Sequence, residues 1–314
     1  MSYIKGLVSV IIPTYKRSNM LERAIDSVLA QTYPNIECLV VNDNTPNDNW
    51  SNIVYGLIKK YDSDTRFHFI EQEKHINGAA ARNYGCKKAR GEFIAFLDDD
   101  DTWEKTKIEK QVKRFNNLST DYGLVTCLAK TYYCDELLSC SVPYKDGSIL
   151  FDILTRNTGI GLDAALIKHD AFNKVGGFDE RLNRGQDLQL FSNLAVYYKV
   201  CLIKEYLLNI YADDPQNRSN GKNVIKRKKE YLKSIENVLE NLEKKDKEVV
   251  LIMHGFEDSL VLIKSGYKKE AFIYCLCVFK HRKSFILAIK RITDRLRGKY
   301  LKKMLINKYK SKEV

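Results

Sequence analysis

The sequence predicts an α/β fold: a mostly parallel sheet flanked by helices, with a C-terminal helical extension. Three observations carry this. Continuous apolar runs alternate with helix-like stretches through the first 210 residues or so, polar clusters follow those runs, and the hydrophobic period changes to a helical one after about Asn217.

The elements follow in order. Val8 to Ile12 is a β-branched run closed by Pro13 and Thr14, which reads as a strand. Asn19 and Glu22 form a capping box for a helix through about Ala30. Glu37 to Val41 is a second strand, ending in the polar stretch Asn42 to Asn49. A helix is expected from about Ser51 to Tyr61, a strand over Phe67 to Ile70 and a helix over Gly78 to Arg90. Glu92 to Leu97 is a buried strand that runs into an acidic turn. A helix over Glu104 to Asn116 and a strand near Gly123 to Lys130 follow. Residues 1–216 thus form one domain and 217–314 a basic helical extension, in which Tyr231, Leu232, Ile235, Val238, Leu239 and Leu242 recur at helical spacing.

Charge sharpens this division. The 314 residues carry 52 Lys+Arg and 40 Asp+Glu, a formal net of +12, and are 44% hydrophobic. Lys280 to Lys312 contain thirteen Lys+Arg and one acid, so the body is close to neutral and the excess sits in the tail. A nucleic-acid-binding body is therefore not expected. The 19 Tyr and 13 Phe argue against disorder. The longest apolar run, Ala271 to Phe279, is nine residues, too short to span a bilayer, and no signal peptide is read at Met1 to Lys5. The eight cysteines lack metal spacing and are expected to be reduced core residues of a cytosolic protein.

In open α/β sheets ligands bind beyond the carboxyl ends of the strands, where this sequence places its chemistry. Asp98-Asp99-Asp100-Asp101 follows the buried strand at Glu92 to Leu97. In extended backbone Asp98 and Asp100 share a side, so a hard divalent cation could bridge them and keep positions for substrate phosphate. Asp43 ends the second strand and could accept from a base or ribose. The small residues Gly78 to Ala81 allow close backbone approach beside Arg82, which could meet a phosphate. Asp187 opens an amphipathic helix, where helix capping is the plain explanation. No G-x-G-x-x-G, P-loop or G-x-S-x-G pattern is present, and His68, His75, His169, His254 and His281 form no metal spacing.

Together these segments resemble bacterial family 2 glycosyltransferases of the GT-A fold. The resemblance runs through Val8 to Arg17, Ser27 to Tyr33, Val40 to Asp43, Ala80 to Gly85, Gly91 to Trp103, Gly176 to Glu180 and Gln186-Asp187, in the family's order. It implies that Pro13, Thr14, Tyr15 and Arg17 line a nucleotide pocket, with Asp43 on the base or ribose and Arg82 beside the nucleotide. Asp98 and Asp99 would contact the nucleotide-sugar, Asp98 and Asp100 would hold Mn²⁺ or Mg²⁺, and Asp187 would be the catalytic base. The implied activity is an inverting, non-processive hexosyl transfer from a UDP-sugar to a hydroxyl of a glycan or lipid-linked acceptor, in bacterial surface polysaccharide synthesis. A processive Q-x-x-R-W motif is lacking, since Leu190 to Asn193 follow Gln189.

In the tail, apolar residues from Phe285 to Ile306 interleave with the basic ones, a pattern that suits either a packed helix or one lying on an anionic membrane. Residues 280–312 are read as that membrane contact, and the protein as cytoplasmic and peripheral on the inner face of the membrane. Two alternatives stand beside this reading. One is an inactive nucleotide-sugar-binding or scaffold protein; the other is a haloacid-dehalogenase-type phosphatase, because Asp98-x-Asp100-x-Thr102 fits its signature.

Overall fold

The computed structural model describes residues 3–17, 20–212 and 221–310, without the side chains of 221–225, 260, 264, 299 and 301–310. Asn19, and with it the expected capping box, lies outside the described residues, as do the side chains of Leu301, Met304, Leu305 and Ile306.

Strand β1 (Ile4–Thr14) is the centre of the first half of the sheet. Val8, Val10, Ile11 and Ile12 are fully buried, which is what an apolar run without polar alternation requires. It pairs in parallel with β2 (Ile36–Asn42) and, on its other edge, with β4 (Gly91–Phe96), while β3 (Phe67–Glu71) pairs in parallel with β2. Helix α1 (Leu21–Leu29) buries Leu21, Ala24, Ile25 and Val28 at helical spacing. Helix α2 (Asn49–Ile58) is capped by the Asp48 side chain, which accepts from the Ser51 N–H.

Helix α3 (Gly78–Lys88) is capped by Asn77, whose Oδ1 accepts from the Ala80 N–H at 3.0 Å. It lies directly on the sheet, because a Cβ at Gly85 would stand 2.6 Å from Ile11 and 3.0 Å from Val41. That close approach places Arg82, almost one turn earlier, over the ends of the strands.

The second half of the sheet departs from the expected parallel order. Among the described residues nine strands form one mixed sheet, in the order β3-β2-β1-β4-β8-β6-β9-β5, with β7 (Glu136–Cys140) on β6. The short β8 (Leu166–Lys168) pairs antiparallel with both β4 and β6 (Tyr122–Tyr133). Strand β9 (Lys199–Tyr211) runs parallel to β6, and the two-residue β5 (Thr102–Trp103) pairs antiparallel with β9. Helices α4 (Lys107–Phe115), α5 (Leu150–Leu154), α6 (His169–Lys174) and α7 (Gln186–Tyr197) complete this part.

One apolar core, with Val8, Ile25, Val40 and Trp103, and a second, with Ile11, Phe96, Phe172 and Phe191, contain the side chains from alternate positions of β1. Five of the cysteines are buried, but Cys134 is exposed and Cys275 and Cys277 are half-buried, so these three are not core residues.

The C-terminal helices are α8 (Gly221–Ser234), α9 (Glu236–Glu240), α10 (Lys244–Lys264), α11 (Lys268–Cys277) and α12 (Arg282–Lys310). Tyr231, Ile235, Val238, Leu239 and Val250 share a third core with Leu154 of α5. Several basic residues of α12 pair with acids of α10: Arg291 and Arg295 with Glu257, and Lys283 with Asp246 at 2.7 Å. The helix also packs on β7.

Candidate active site

The ends of β1, β2 and β4 meet at one edge because the strands are parallel and in register, Thr14 beside Asn42 and Ile11 beside Phe96. Pro13, Thr14, Tyr15, Arg17, Asp43, Arg82, Asp98 and Asp99 all line one cavity of about 370 Å³ there. The structure thus brings together every residue expected around the nucleotide. Asp100 and Asp187 are not part of that lining.

Asp43 is buried, with its backbone N–H bonded to the Thr14 carbonyl at 2.9 Å. Its Oδ1 accepts from Gln72 Nε2 at 2.9 Å and its Oδ2 lies 2.8 Å from His75 Nδ1. Burial pushes this carboxyl above its ordinary range, and His75 pulls it part of the way back. His75 also stacks on Tyr15, with ring centroids 3.7 Å apart. Lys16 takes a left-handed backbone (φ 51°), and its N–H is held by Asn44 Oδ1 at 2.8 Å. Sequence reasoning passed over His75 and Gln72. Their place just after β3, on the same sheet edge, was the available signal.

The acidic segment is not extended. The Asp101 N–H donates to the Asp98 carbonyl at 3.1 Å, closing a turn, so the four carboxylates diverge into different surroundings. Asp98 pairs with Arg82, and Asp100 with Arg17 at 2.5 Å, while Asp99 accepts from the Thr14 hydroxyl at 2.7 Å. Burial raises Asp99 to about 7, with Thr14 acting against it. Asp100 is raised by burial and by Asp98, with Arg17 opposing. Asp101 accepts from the Tyr211 N–H at 3.0 Å and is pushed up to about 8 by burial. Its neighbour Asp163, in the turn before β8, is raised by burial and by Asp98 and Asp101. Asp163 is a buried carboxylate at this site that the sequence did not single out.

Burial works against the Arg82 charge, but Asp98, Asp163 and Asp187 outweigh it and hold the guanidinium above its ordinary range. Asp187 itself is exposed, at the second position of α7. It is not the cap: Gly185 is, in a left-handed conformation (φ 77°) that favours glycine. A carboxylate in a first helical turn is favoured by the helix dipole. Asp187 faces a second cavity, of about 490 Å³, that the C-terminal helices help to form.

A candidate metal is tested by its donor set. Asp98, in the cleft lining, and Asp100, outside it, offer hard carboxylate oxygens, which suit Mg²⁺ or Mn²⁺; Asp100 is raised first by burial and then by the Asp98 charge, and a cation would offset the second. Among the described residues no group of three or more His, Cys, Asp or Glu is arranged to hold a metal ion. Two carboxylates by themselves would leave most of a cation's coordination positions to other oxygens.

Comparison with known proteins agrees with this geometry. Residues 9–157 match the profile described as Glycosyl transferase family 2. "Uncharacterized glycosyltransferase RT0329" of Rickettsia typhi is 31% identical over 277 residues, covering 85% of this chain and 81% of that protein. "UDP-Glc:alpha-D-GlcNAc-diphosphoundecaprenol beta-1,3-glucosyltransferase WfgD" of Escherichia coli is 34% identical over 169 residues, 53% of this chain and 62% of that protein, so less than two thirds of its length is matched. The solved structure "Mannosyltransferase PcManGT from Pyrobaculum calidifontis in complex with GDP-Man and Mn2+" superposes with a TM-score of 0.55 at 16% identity, over 93% of this chain and 86% of that one. The fold is thus GT-A, and the phosphatase alternative falls. Identity sustained along most of both chains exceeds what a shared sheet order brings, and so this chain belongs to glycosyl transferase family 2 and is a glycosyltransferase.

Proposed function

We propose that the protein is an inverting, metal-dependent enzyme that moves one sugar from a UDP-sugar to a hydroxyl of a lipid-linked or glycan acceptor, in the building of a bacterial surface polysaccharide. The observation that carries this is the single cleft where Asp43, Arg17, Arg82, Asp98 and Asp99 converge, with Asp187 acting electrostatically on Arg82 from beside it. The name of WfgD, which describes β-1,3 transfer from UDP-Glc to a diphosphoundecaprenol-linked sugar, supports the donor and acceptor class.

In this reading Tyr15, stacked on His75, and Asp43 receive the nucleoside. Arg17 and Arg82 exchange their carboxylate partners for the donor's diphosphate, which two charge-assisted N–H forks recognise well. Asp98 and Asp100 would hold a Mn²⁺ or Mg²⁺ ion, whose chemistry is to neutralise charge on the leaving diphosphate. Asp187 accepts the proton of the acceptor hydroxyl as it attacks the anomeric carbon opposite the diphosphate, which inverts configuration.

No helix among the described residues is long and apolar enough to cross a membrane. A peripheral site of action at a membrane, which this reading places on the cytoplasmic face, draws support for the membrane contact from an exposed apolar stripe. Phe272, Leu276 and Phe279 are 63%, 50% and 68% exposed, and Ile289, Ile292 and Leu296 45%, 50% and 60%. The Phe279 and Phe285 rings, 5.3 Å apart, join the two stretches. With residues 280–312 so basic, such a stripe suits an anionic lipid surface.

The test is incubation with a panel of nucleotide sugars and Mn²⁺, reading released nucleotide. One UDP-sugar should be turned over, EDTA should abolish turnover, and added Mn²⁺ or Mg²⁺ should restore it. Asp100→Ala should lose activity and metal-dependent UDP binding together. Full activity in EDTA would overturn the metal assignment.

A further inference from the structure

The second cavity, about 490 Å³ in volume, lies between the start of α7 and helices α8, α10 and α12. Its size is that of a small-molecule site. Five cationic side chains line it against three acids. One of those acids, Glu257, is already paired with Arg291 and with Arg295, which lies outside the lining. Another, Asp258, stands 3.9 Å from Arg156 Nη1 and 3.8 Å from Lys228 Nζ, beyond hydrogen-bond length. The cavity therefore has an excess of positive charge, carried on side chains that retain donors.

A second, independent observation points to a ligand. His254, in the cavity wall, is 2% exposed and its Nε2 has no hydrogen-bond partner. Its ring is bonded to the Leu154 carbonyl, so in the neutral ring Nε2 is an acceptor. A buried acceptor without a partner is costly unless something that enters the cavity supplies a donor. A sugar hydroxyl does so. Arg156 directly follows the C-cap of α5 in a left-handed backbone (φ 55°), an ordinary way for a helix to end.

We propose that this cavity is the acceptor subsite and takes a phosphate-bearing sugar, its phosphate held by Arg156, Arg227 and Lys228 and its hydroxyls read by His254 and presented to Asp187. Several cations around one cavity call for a multiply charged group, and the arginine forks match phosphate oxygens. The proposal rests on the reading of Asp187 as the base. It adds that the C-terminal helices, through Arg227, Lys228 and His254, select the substrate.

The test uses the full chain in EDTA, titrated with inorganic pyrophosphate, with histidine ¹H–¹⁵N spectra and calorimetry as readouts. The His254 resonance should shift and saturate. In Arg227→Gln, and in Arg156→Gln, the affinity should fall at least about tenfold, the scale of one charge-assisted hydrogen bond to a phosphate. UDP binding with Mn²⁺, in parallel samples free of EDTA and pyrophosphate, reports that the variants are folded. If Arg156→Gln fails to fold, Arg227→Gln alone decides. A lipid source of the phosphate would make farnesyl diphosphate bind more tightly than pyrophosphate; equal affinities mean that only the headgroup is read. A His254 resonance that pyrophosphate leaves unmoved, or equal binding by Arg227→Gln, overturns the proposal. If no nucleotide sugar is turned over, the donor reading fails while a phosphate site at His254 stands. Normal turnover with a silent His254 sinks only this inference.

Discussion

Arg82 forms an ion pair with Asp98, and the charge of Asp187 adds to those of Asp98 and Asp163 in keeping its guanidinium charged. One arginine of α3 thus links the acidic turn, where a diphosphate would lie, to the carboxylate facing the second cavity. Asp98 is only 16 residues from Arg82, but Asp187 is brought there by the tertiary structure.

Asp187→Asn separates binding from chemistry. The amide keeps the shape of the side chain but cannot take up a proton, so kcat should fall at least about 100-fold. UDP affinity should stay close to that of the wild type, because Asp187 is not in the lining of the nucleotide cleft. Steady-state kinetics and UDP titration check this, and near-normal turnover would assign the base elsewhere.

The exposed stripe predicts membrane association without truncating the chain. Sedimentation with anionic vesicles should exceed that with zwitterionic ones and weaken with salt, since each basic residue near the surface contributes on the order of 1 kcal/mol. The triple variant Phe272→Ser, Phe279→Ser, Leu296→Ser should lose most of the binding at every salt concentration. Because these side chains are 63%, 68% and 60% exposed, the fold should keep its thermal midpoint. Unchanged sedimentation would mean that the stripe does not meet lipid.

His254 predicts a pH-dependent stability. Burial lowers it to about 3 in the folded chain, with Arg156 and Lys228 adding to the effect and the Leu154 carbonyl opposing it. Tyr231, 5.2 Å away between ring centroids, and Asp258 are the other groups beside it in the cavity wall. An unfolded histidine titrates near its ordinary value of about 6.5. Between those values the unfolded chain binds the extra proton, so stability is full above about 6.5 and declines as the pH falls toward 3. The slope from this group reaches about 1.4 kcal/mol per pH unit. Urea unfolding of wild type and His254→Asn between pH 4 and 8 should show the shallower dependence in the variant. Parallel curves would show that the ring does not stay neutral.

The sequence by itself determined the strands of the first half and the edge at which chemistry occurs. Val8 to Ile12, interrupted only by the buried Ser9, and Phe93 to Phe96 are apolar runs that burial on both faces satisfies, and parallel pairing then sets Asp43 and Asp98 at one edge. These are local signals. The grouping of Pro13 to Arg17 with Arg82 was implied only by the family resemblance, and it is the packing of α3 on the sheet at Gly85 that places Arg82 there. Only the tertiary structure decided the rest. The antiparallel β8, the bond from Tyr211 N to Asp101 across 110 residues and the Trp103 Nε1 bond to the Asp163 carbonyl across 60 depend on segments whose own patterns are short or irregular. The acidic run became a turn because its carboxylates find separate partners, Arg82, Thr14, Arg17 and Tyr211, none of which sequence spacing reveals. The cavity at Asp187 is of the same kind. It exists because α8 and α10 bury Tyr231 and Val250 against Leu154, and the cations that line it come from four distant stretches of chain. Hydrophobic period reports which face of an element is buried; it does not report against what.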